Sequence, residues 1–221
     1  QLVRSHVPDI IVSDVMMPRM NGYELCKTIK EDIAISHIPV ILLTAKDDKQ
    51  SLISGYKNGA DGYLSKPFEV EMLMELIRNR LKNREYTKKR YLNAGLIPTP
   101  EESTISLTDE TFLIKLNSII QENIDNTNLG IQFICQEVGL GRSSLYNKLK
   151  ALTGMGANEY ISKLRIEKAI TLISGTDMPF SEIAEKTGFT TPSYFSTAFK
   201  QYTGETPSQY KERKKKGLAD K

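Results

Sequence analysis

Asp14 stands in an unusual place for a carboxylate. In "DIIVSDVMMPRMNG", Asp9 to Gly22, the apolar run Ile10–Val12 reads as a buried strand. The acid follows at its end, just before Met-Met-Pro forbids a regular continuation. Two further residues share that position. Thr44 closes the apolar run "VILLT", and Lys66 closes "YLSKPF" with Pro67 behind it. If these strands are adjacent and parallel, their C-terminal ends converge, which is where open α/β sheets place their ligand sites. A carboxylate, a hydroxyl and an ammonium on one edge suit phosphoryl acceptance. The carboxylate acts as nucleophile toward phosphorus, and the other two hold the phosphoryl oxygens. A divalent cation would offset the charge of phosphate meeting carboxylate. A phosphohydrolase is disfavoured, because the position two residues after Asp14 carries Met16 and no second acid.

The elements that must position these residues alternate. Residues 1–83 set short β-branched runs ("DIIVSD", "IPVILLTA" and a shorter one at Tyr63–Leu64) between stretches with helical spacing, "GYELCKTIKED" and "DDKQSLISGYKNG". The longer amphipathic stretch "EVEMLMELIRNRLKN" follows Pro67. Such alternation predicts βαβ units and a parallel sheet. Residues 84–107 mix basic residues, prolines and small polar residues, and read as a linker. From Thr108 onward no strand signal remains. Thr108 is the expected N-cap of a helix whose Phe112, Leu113, Leu116, Ile119 and Ile120 form an apolar stripe.

Bulk properties bound the rest. The chain has 221 residues, 39% apolar and 26% charged, with a formal net charge of +3, which permits nucleic-acid binding without requiring it. Cys26 and Cys135 are far apart and lack metal-ligand spacing, and His6 and His37 stand outside any Cys or His cluster, so no zinc site is expected. No run approaches the ~18 apolar residues of a membrane span, and no signal-peptide pattern opens the chain. A reduced, cytoplasmic setting is expected.

The second half contains a repeat. "ICQEVGLGRSSLYNKLKALTG" (134–154) aligns with "IAEKTGFTTPSYFSTAFKQYTG" (183–204), pairing Gly139 with Gly188, Leu145 with Phe195 and Leu149 with Phe199. Each copy reads as a short helix, a glycine turn and a second helix. Leu145, Leu149 and Leu152 are expected to face inward, as are Phe195, Phe199 and Tyr202. The opposite faces carry Arg142, Ser143, Tyr146, Asn147 and Lys150 in one copy, and Ser193, Ser196, Thr197 and Lys200 in the other. These are short polar and basic groups suited to base edges and phosphates. "YISKLRIEKAITLIS" lies between as one helix, long enough to hold two recognition helices about one DNA turn, ~34 Å, apart.

Two resemblances rest on these stretches. Residues 108–213 resemble the AraC/XylS-type DNA-binding domain, carried by "GFTTPSYFSTAFKQYTGETPSQYK" and "SSLYNKLKALTG". That resemblance implies that Ser143, Tyr146 and Asn147 face bases in one major groove, and Ser193, Ser196 and Thr197 in the next. Arg142 joins the DNA-facing set, and Lys150, Arg165 and Lys200 are expected phosphate contacts. "DVMMPRMNGYEL", "PVILLTA" and "GADGYLSKPF" resemble the last three βα units of a CheY-like response-regulator receiver. By that resemblance Asp14 is the phosphoacceptor, Thr44 the switch hydroxyl, Tyr63 the switch aromatic and Lys66 the conserved-type lysine. Asp14 and the backbone carbonyl of Met16 are the matching magnesium ligands. The chain departs from that family, because the first strand, first helix, second strand and acidic pair are absent. Magnesium is therefore expected in an intact receiver and not in this chain. As given, the chain is expected to stay unphosphorylated, and its open strand edge to favour self-association.

The fold class expected is α/β plus all-α: a partial doubly wound receiver at 1–83, a linker at 84–107 and a double helix-turn-helix domain at 108–221. The function implied is a sequence-specific transcriptional regulator of a two-component phosphorelay, not an enzyme, controlled through Asp14. Its expected partners are double-stranded DNA, a histidine kinase domain in the same or a separate chain, and a second copy of itself. No membrane insertion of this region is expected, although it could form the cytoplasmic end of a membrane-spanning hybrid sensor. The competing reading is a constitutive DNA-binding protein whose partial receiver only mediates self-association.

Overall fold

The computed structural model describes residues 2–45, 59–93 and 106–219. Its elements in chain order are α1 (Leu2–His6), β1 (Ile11–Asp14), α2 (Gly22–Glu31), β2 (Val40–Ala45), β3 (Gly62–Lys66), α3 (Val70–Asn93), α4 (Leu107–Glu122), α5 (Ile131–Val138), α6 (Arg142–Thr153), α7 (Ala157–Gly175), α8 (Phe180–Lys186), α9 (Pro192–Thr203) and α10 (Pro207–Ala219). The expected helix in "DDKQSLISGYKNG" and the segment between α3 and α4 lie outside the described residues. The chain divides into two compact units, Gln1–Ile114 with Leu140–Met155, and Lys115–Gly139 with Gly156–Lys221.

In the first unit the three strands form a parallel sheet in the order β1-β2-β3. Asp14 pairs in register with Leu43, and Ala45 with Lys66, so the strand ends converge as the sequence predicts. The core comprises Val15, Cys26, Ile29, Ile35, Ile38, Val40 and Leu42. β2 is the central strand and its Val40, Ile41 and Leu42 are fully buried, whereas Val12 on the edge strand β1 is 38% exposed. α2 starts with a full capping box: the Asn21 side chain accepts from the Glu24 amide, and Glu24 accepts from the Asn21 amide.

α3 continues to Asn93, so residues 84–93, expected as linker, are helical. Their basic and polar composition suits a solvated helix as well as a linker, and only Pro and Gly would have broken it. The cap of α4 also differs from expectation. Ser106, not Thr108, accepts from the Asp109 amide, at 3.2 Å, while the Thr108 hydroxyl donates to the Lys30 carbonyl at 3.1 Å. Within this unit α6 packs against α3.

In the second unit Ile166, Ala169, Ile173, Ile183, Ala184, Phe189, Phe195 and Phe199 build one core across α7, α8 and α9. The aromatic rings meet edge-on or tilted, Phe195 against Phe199 at 5.7 Å and Phe199 against Tyr210 at 5.6 Å. α8 and α9 join through Gly188, whose φ of +72° needs glycine. A β-carbon there would also lie 2.3 Å from the Ile124 carbonyl oxygen. Thr191 caps α9 by accepting from the Tyr194 amide, and Pro192 occupies the first helical position. Tyr202, expected inside, is 40% exposed and donates its hydroxyl to Glu167 at 3.2 Å. The phenol hydroxyl is satisfied by a carboxylate at the rim, which draws the ring out of the apolar stripe.

Candidate functional site

The edge formed by the C-terminal ends of the strands is built around Asp14. Its Oδ2 accepts the Lys66 ammonium, and its Oδ1 accepts the Met16 amide at 3.0 Å. The Lys66 ammonium and then the Met16 amide hold the Asp14 carboxyl below the ordinary aspartate range. Thr44 stands one residue beyond Leu43, the register partner of Asp14. It is buried, and its hydroxyl donates to the Ala45 carbonyl at 3.3 Å. Tyr63 is half-buried against the sheet core. The peptide bond between Lys66 and Pro67 is cis.

A close backbone approach completes this edge. The Gly22 amide donates to the Val15 carbonyl at 3.0 Å, and a β-carbon on Gly22 would lie 2.4 Å from the Asp14 carbonyl oxygen. Glycine is therefore required where α2 returns to the end of β1. The residues present do not by themselves fit a magnesium ion. Among the described residues no group of three or more His, Cys, Asp or Glu converges. The single carboxylate at this edge is already bonded to an ammonium and an amide donor, where octahedral magnesium requires several oxygen ligands.

The helix-turn-helix residues fall into two sets, one on α6 in the first unit and one on α9 in the second. On α6, Arg142, Ser143, Tyr146 and Lys150 are exposed and Asn147 is partly exposed, while Leu145, Leu149 and Leu152 are buried. On α9, Ser193, Thr197 and Lys200 are exposed and Ser196 partly so, opposite buried Phe195 and Phe199. Tyr194, 55% exposed, joins this face and was not singled out from sequence. α5 ends at Gly139 (φ +73°), whose amide donates to the Cys135 carbonyl at 3.0 Å, and the chain enters α6 after Gly141.

Arg165 does not join either polar face. Its Nη2 donates to the Asn126 carbonyl at 2.6 Å, and its guanidinium lies 6.0 Å from the Phe189 ring centroid. Burial holds its pKa below the usual arginine value. Asn126 lies in the turn after α4, so Arg165 ties that turn to α7 within the second unit.

Sequence reasoning missed Lys148. Its side chain is 0% exposed and its ammonium ion-pairs with Asp109, whose side chain is 4% exposed. Lys148 Nζ also donates to Ser36 Oγ at 2.8 Å, and Ser36 Oγ donates to Asp109 Oδ1 at 2.7 Å. The same ammonium stands 5.0 Å from the Phe112 ring centroid. Burial alone would push the Asp109 carboxyl up. The Lys148 ammonium and the Ser36 and Ser106 hydroxyls overcome that and hold it below the ordinary range. The signal was present: Leu145, Lys148, Leu149 and Leu152 follow the i, i+3, i+4, i+7 spacing of one apolar stripe.

Comparison with known proteins matches both halves. Residues 1–78 match the response regulator receiver domain, and residues 134–213 match a helix-turn-helix domain. A protein named histidine kinase P4, from Formosa agariphila, is 42% identical over 213 residues, covering 96% of this chain but only 16% of its own length. The chain thus spans about a sixth of that relative. The probable transcriptional regulator ycf29 of Pyropia yezoensis is 32% identical over 162 residues, 68% of this chain and 73% of its own length. Among solved structures, the C-terminal domain of AraT, a response regulator from Geobacillus stearothermophilus, shares 30% identity over 50% of this chain and 88% of its own, with a TM-score of 0.45. The chain belongs to the response-regulator family, with a receiver domain followed by a helix-turn-helix domain.

Proposed function

We propose that this chain is the output region of a two-component transcriptional regulator of the AraC type. It binds specific double-stranded DNA through α6 and α9, and the intact protein is controlled by phosphorylation of Asp14. The observation that carries this reading is the Asp14–Lys66 pair at the convergent strand ends, in one chain with two helices whose exposed faces are short, polar and basic. A phosphoryl group on Asp14 displaces the carboxylate oxygen that Lys66 now holds and offers it phosphoryl oxygens instead. Thr44 supplies the nearby hydroxyl, and its turn outward opens space for Tyr63 to move, which shifts the population of receiver surfaces. A histidine kinase domain donates the phosphoryl group, and two copies of the regulator occupy paired sites. No helix among the described residues is long and apolar enough to cross a membrane.

On DNA, α6 and α9 enter successive major grooves, with Asn147 able to grip an adenine in bidentate fashion. Lys150 and Lys200 neutralise phosphates. α7, with 19 residues and about 28 Å in length, lies between them in the sequence. Selection from a random duplex library with the 221-residue chain tests this. The expected result is an enriched motif of two half-sites about 10 bp apart. No enrichment over non-specific binding overturns it. For the switch, a protein carrying the complete receiver should gain one phosphate from a small phosphodonor by intact mass. Asp14→Asn should remove that adduct.

The exposure of both polar faces while Asp14 is paired with Lys66 favours a second reading, constitutive DNA binding with the partial receiver serving self-association. Equal DNA affinity for residues 1–221 and 108–221 selects that reading.

A further inference from the structure

The first unit contains a cavity of about 290 Å³ whose wall includes Lys30, His37, Arg80, Arg84, Asp61 and Asp109. Both acids are already engaged. Asp61 accepts Lys30 at 2.7 Å and the Val40 amide at 2.7 Å, and Asp109 accepts Lys148 and Ser36. Lys30, Arg80 and Arg84 on this wall stand against the two carboxylates, an excess of one positive charge. Among the described residues Arg84 reaches Asp9 at the rim, through its carbonyl at 3.2 Å and its 89% exposed carboxylate at 3.6 Å.

Two donors on this wall are orphaned. His37 is 7% exposed, and neither ring nitrogen has a hydrogen-bond partner among the described residues. A neutral imidazole always carries one N–H donor. The Arg80 Nε–H is likewise buried and without a partner among the described residues. An unsatisfied buried donor loses its hydration without replacement, so two on the wall of one cavity are unfavourable without an acceptor. Water could accept from them but could not neutralise the charge. The cavity is about ten times the ~30 Å³ share of one water and near the lower end of ~300–1,000 Å³ ligand pockets.

We propose that this cavity binds a small phosphate anion, either inorganic phosphate or the phosphate of a phosphomonoester, with Arg80, Arg84 and His37 donating to its oxygens. The net positive wall favours an anion, and tetrahedral oxygens reach donors on separate elements, which a planar carboxylate does less well. The inference does not depend on Asp14 phosphorylation or on DNA binding. The same wall includes Ala151 and Leu152 of α6, so the ligand would touch the first recognition helix directly.

His37 is the reporter. Burial first, then the Lys148, Arg84 and Lys30 charges, hold its pKa at about 3, with Asp109 opposing. A bound phosphate opposes that positive field and raises it. The chain has two histidines and His6 is exposed, so imidazole NMR resolves both. With the 221-residue chain, inorganic phosphate against chloride at equal ionic strength should shift the His37 signal saturably and raise its titration by at least about one unit. His6 should stay unchanged. Glycerol phosphate run in parallel separates the sources: tighter binding than inorganic phosphate assigns an organic ligand, and equal binding assigns the free ion. Arg80→Gln, on the partly exposed face of α3, should weaken the response about tenfold, with circular dichroism verifying the fold. Arg84→Gln is the second variant. No saturable His37 response below about 10 mM phosphate overturns the proposal, as does a response unaltered in both folded variants.

Discussion

Replacing Lys148 with Met tests whether the buried pair anchors the first recognition helix. Methionine keeps most of the side-chain volume, so the loss is electrostatic: Asp109, with a side chain 4% exposed, keeps its hydroxyl donors and loses its counter-charge. Breaking a buried pair by removing one partner costs about 3–5 kcal/mol. Protonation of Asp109 sets a ceiling on that figure. From an unfolded pKa near 3.9, neutralising a carboxyl at pH 7 costs about 4.2 kcal/mol, and at pH 5 about 1.5 kcal/mol. Lys148→Met should therefore destabilise the first unit by about 3–4 kcal/mol at pH 7 and by no more than about 1.5 kcal/mol at pH 5. Because the chain has two compact units, a single melting curve mixes their transitions. Native-state hydrogen exchange at the amides of Leu149–Thr153 reads the local effect, expected as exchange faster by about 150- to 900-fold at pH 7. Asp109→Asn in the Lys148→Met background should recover much of the loss, because the remaining carboxamide carries no charge. A cost below about 1 kcal/mol at pH 7, or one that does not change between pH 7 and pH 5, would refute the buried-pair argument.

His37 should set a pH dependence in a different window. Its folded pKa, about 3, lies below its unfolded value of about 6.5, so the unfolded state binds more protons between those values. Stability should fall as pH drops from 6.5 toward 3, with a slope of up to about 1.4 kcal/mol per pH unit in phosphate-free buffer. His37→Phe should flatten that slope in urea titrations across the range. Gly188→Ala should lower stability by about 2–4 kcal/mol by thermal unfolding, since it combines positive φ with a β-carbon 2.3 Å from the Ile124 carbonyl oxygen. Lys200→Gln should reduce the salt dependence of DNA binding by about one unit in log–log slope, and Arg165→Gln should leave that slope unchanged while lowering thermal stability. Equal slope changes for both would place Arg165 on phosphate after all.

Sequence periodicity and spacing carried the site at the strand ends a long way. The acid at the end of "DIIVSD" and the lysine at the end of "YLSK" had to meet once the strands paired in parallel, because the alternation of strand and helix leaves no other short right-handed connection. The repeat likewise placed Gly139 and Gly188, whose role is local: a left-handed backbone at the end of a short helix depends on its nearest neighbours. The inward and outward faces of α6 and α9 followed from helical spacing for the same reason, with Tyr202 as the exception.

What the sequence alone determined is therefore local conformation and the one convergence that parallel pairing enforces. Tertiary structure decided where long polar side chains end. Lys148 and Arg165 are both cations on helices bearing polar faces, and nothing within a turn of either shows that one reaches Asp109 and the other the Asn126 carbonyl. A lysine or arginine stem spans several ångströms, so its charged head is committed by whichever distant element supplies an acceptor in a desolvated space. The continuation of α3 to Asn93 belongs to the same class, because a polar stretch of good helix formers is helix or linker according to what it packs against.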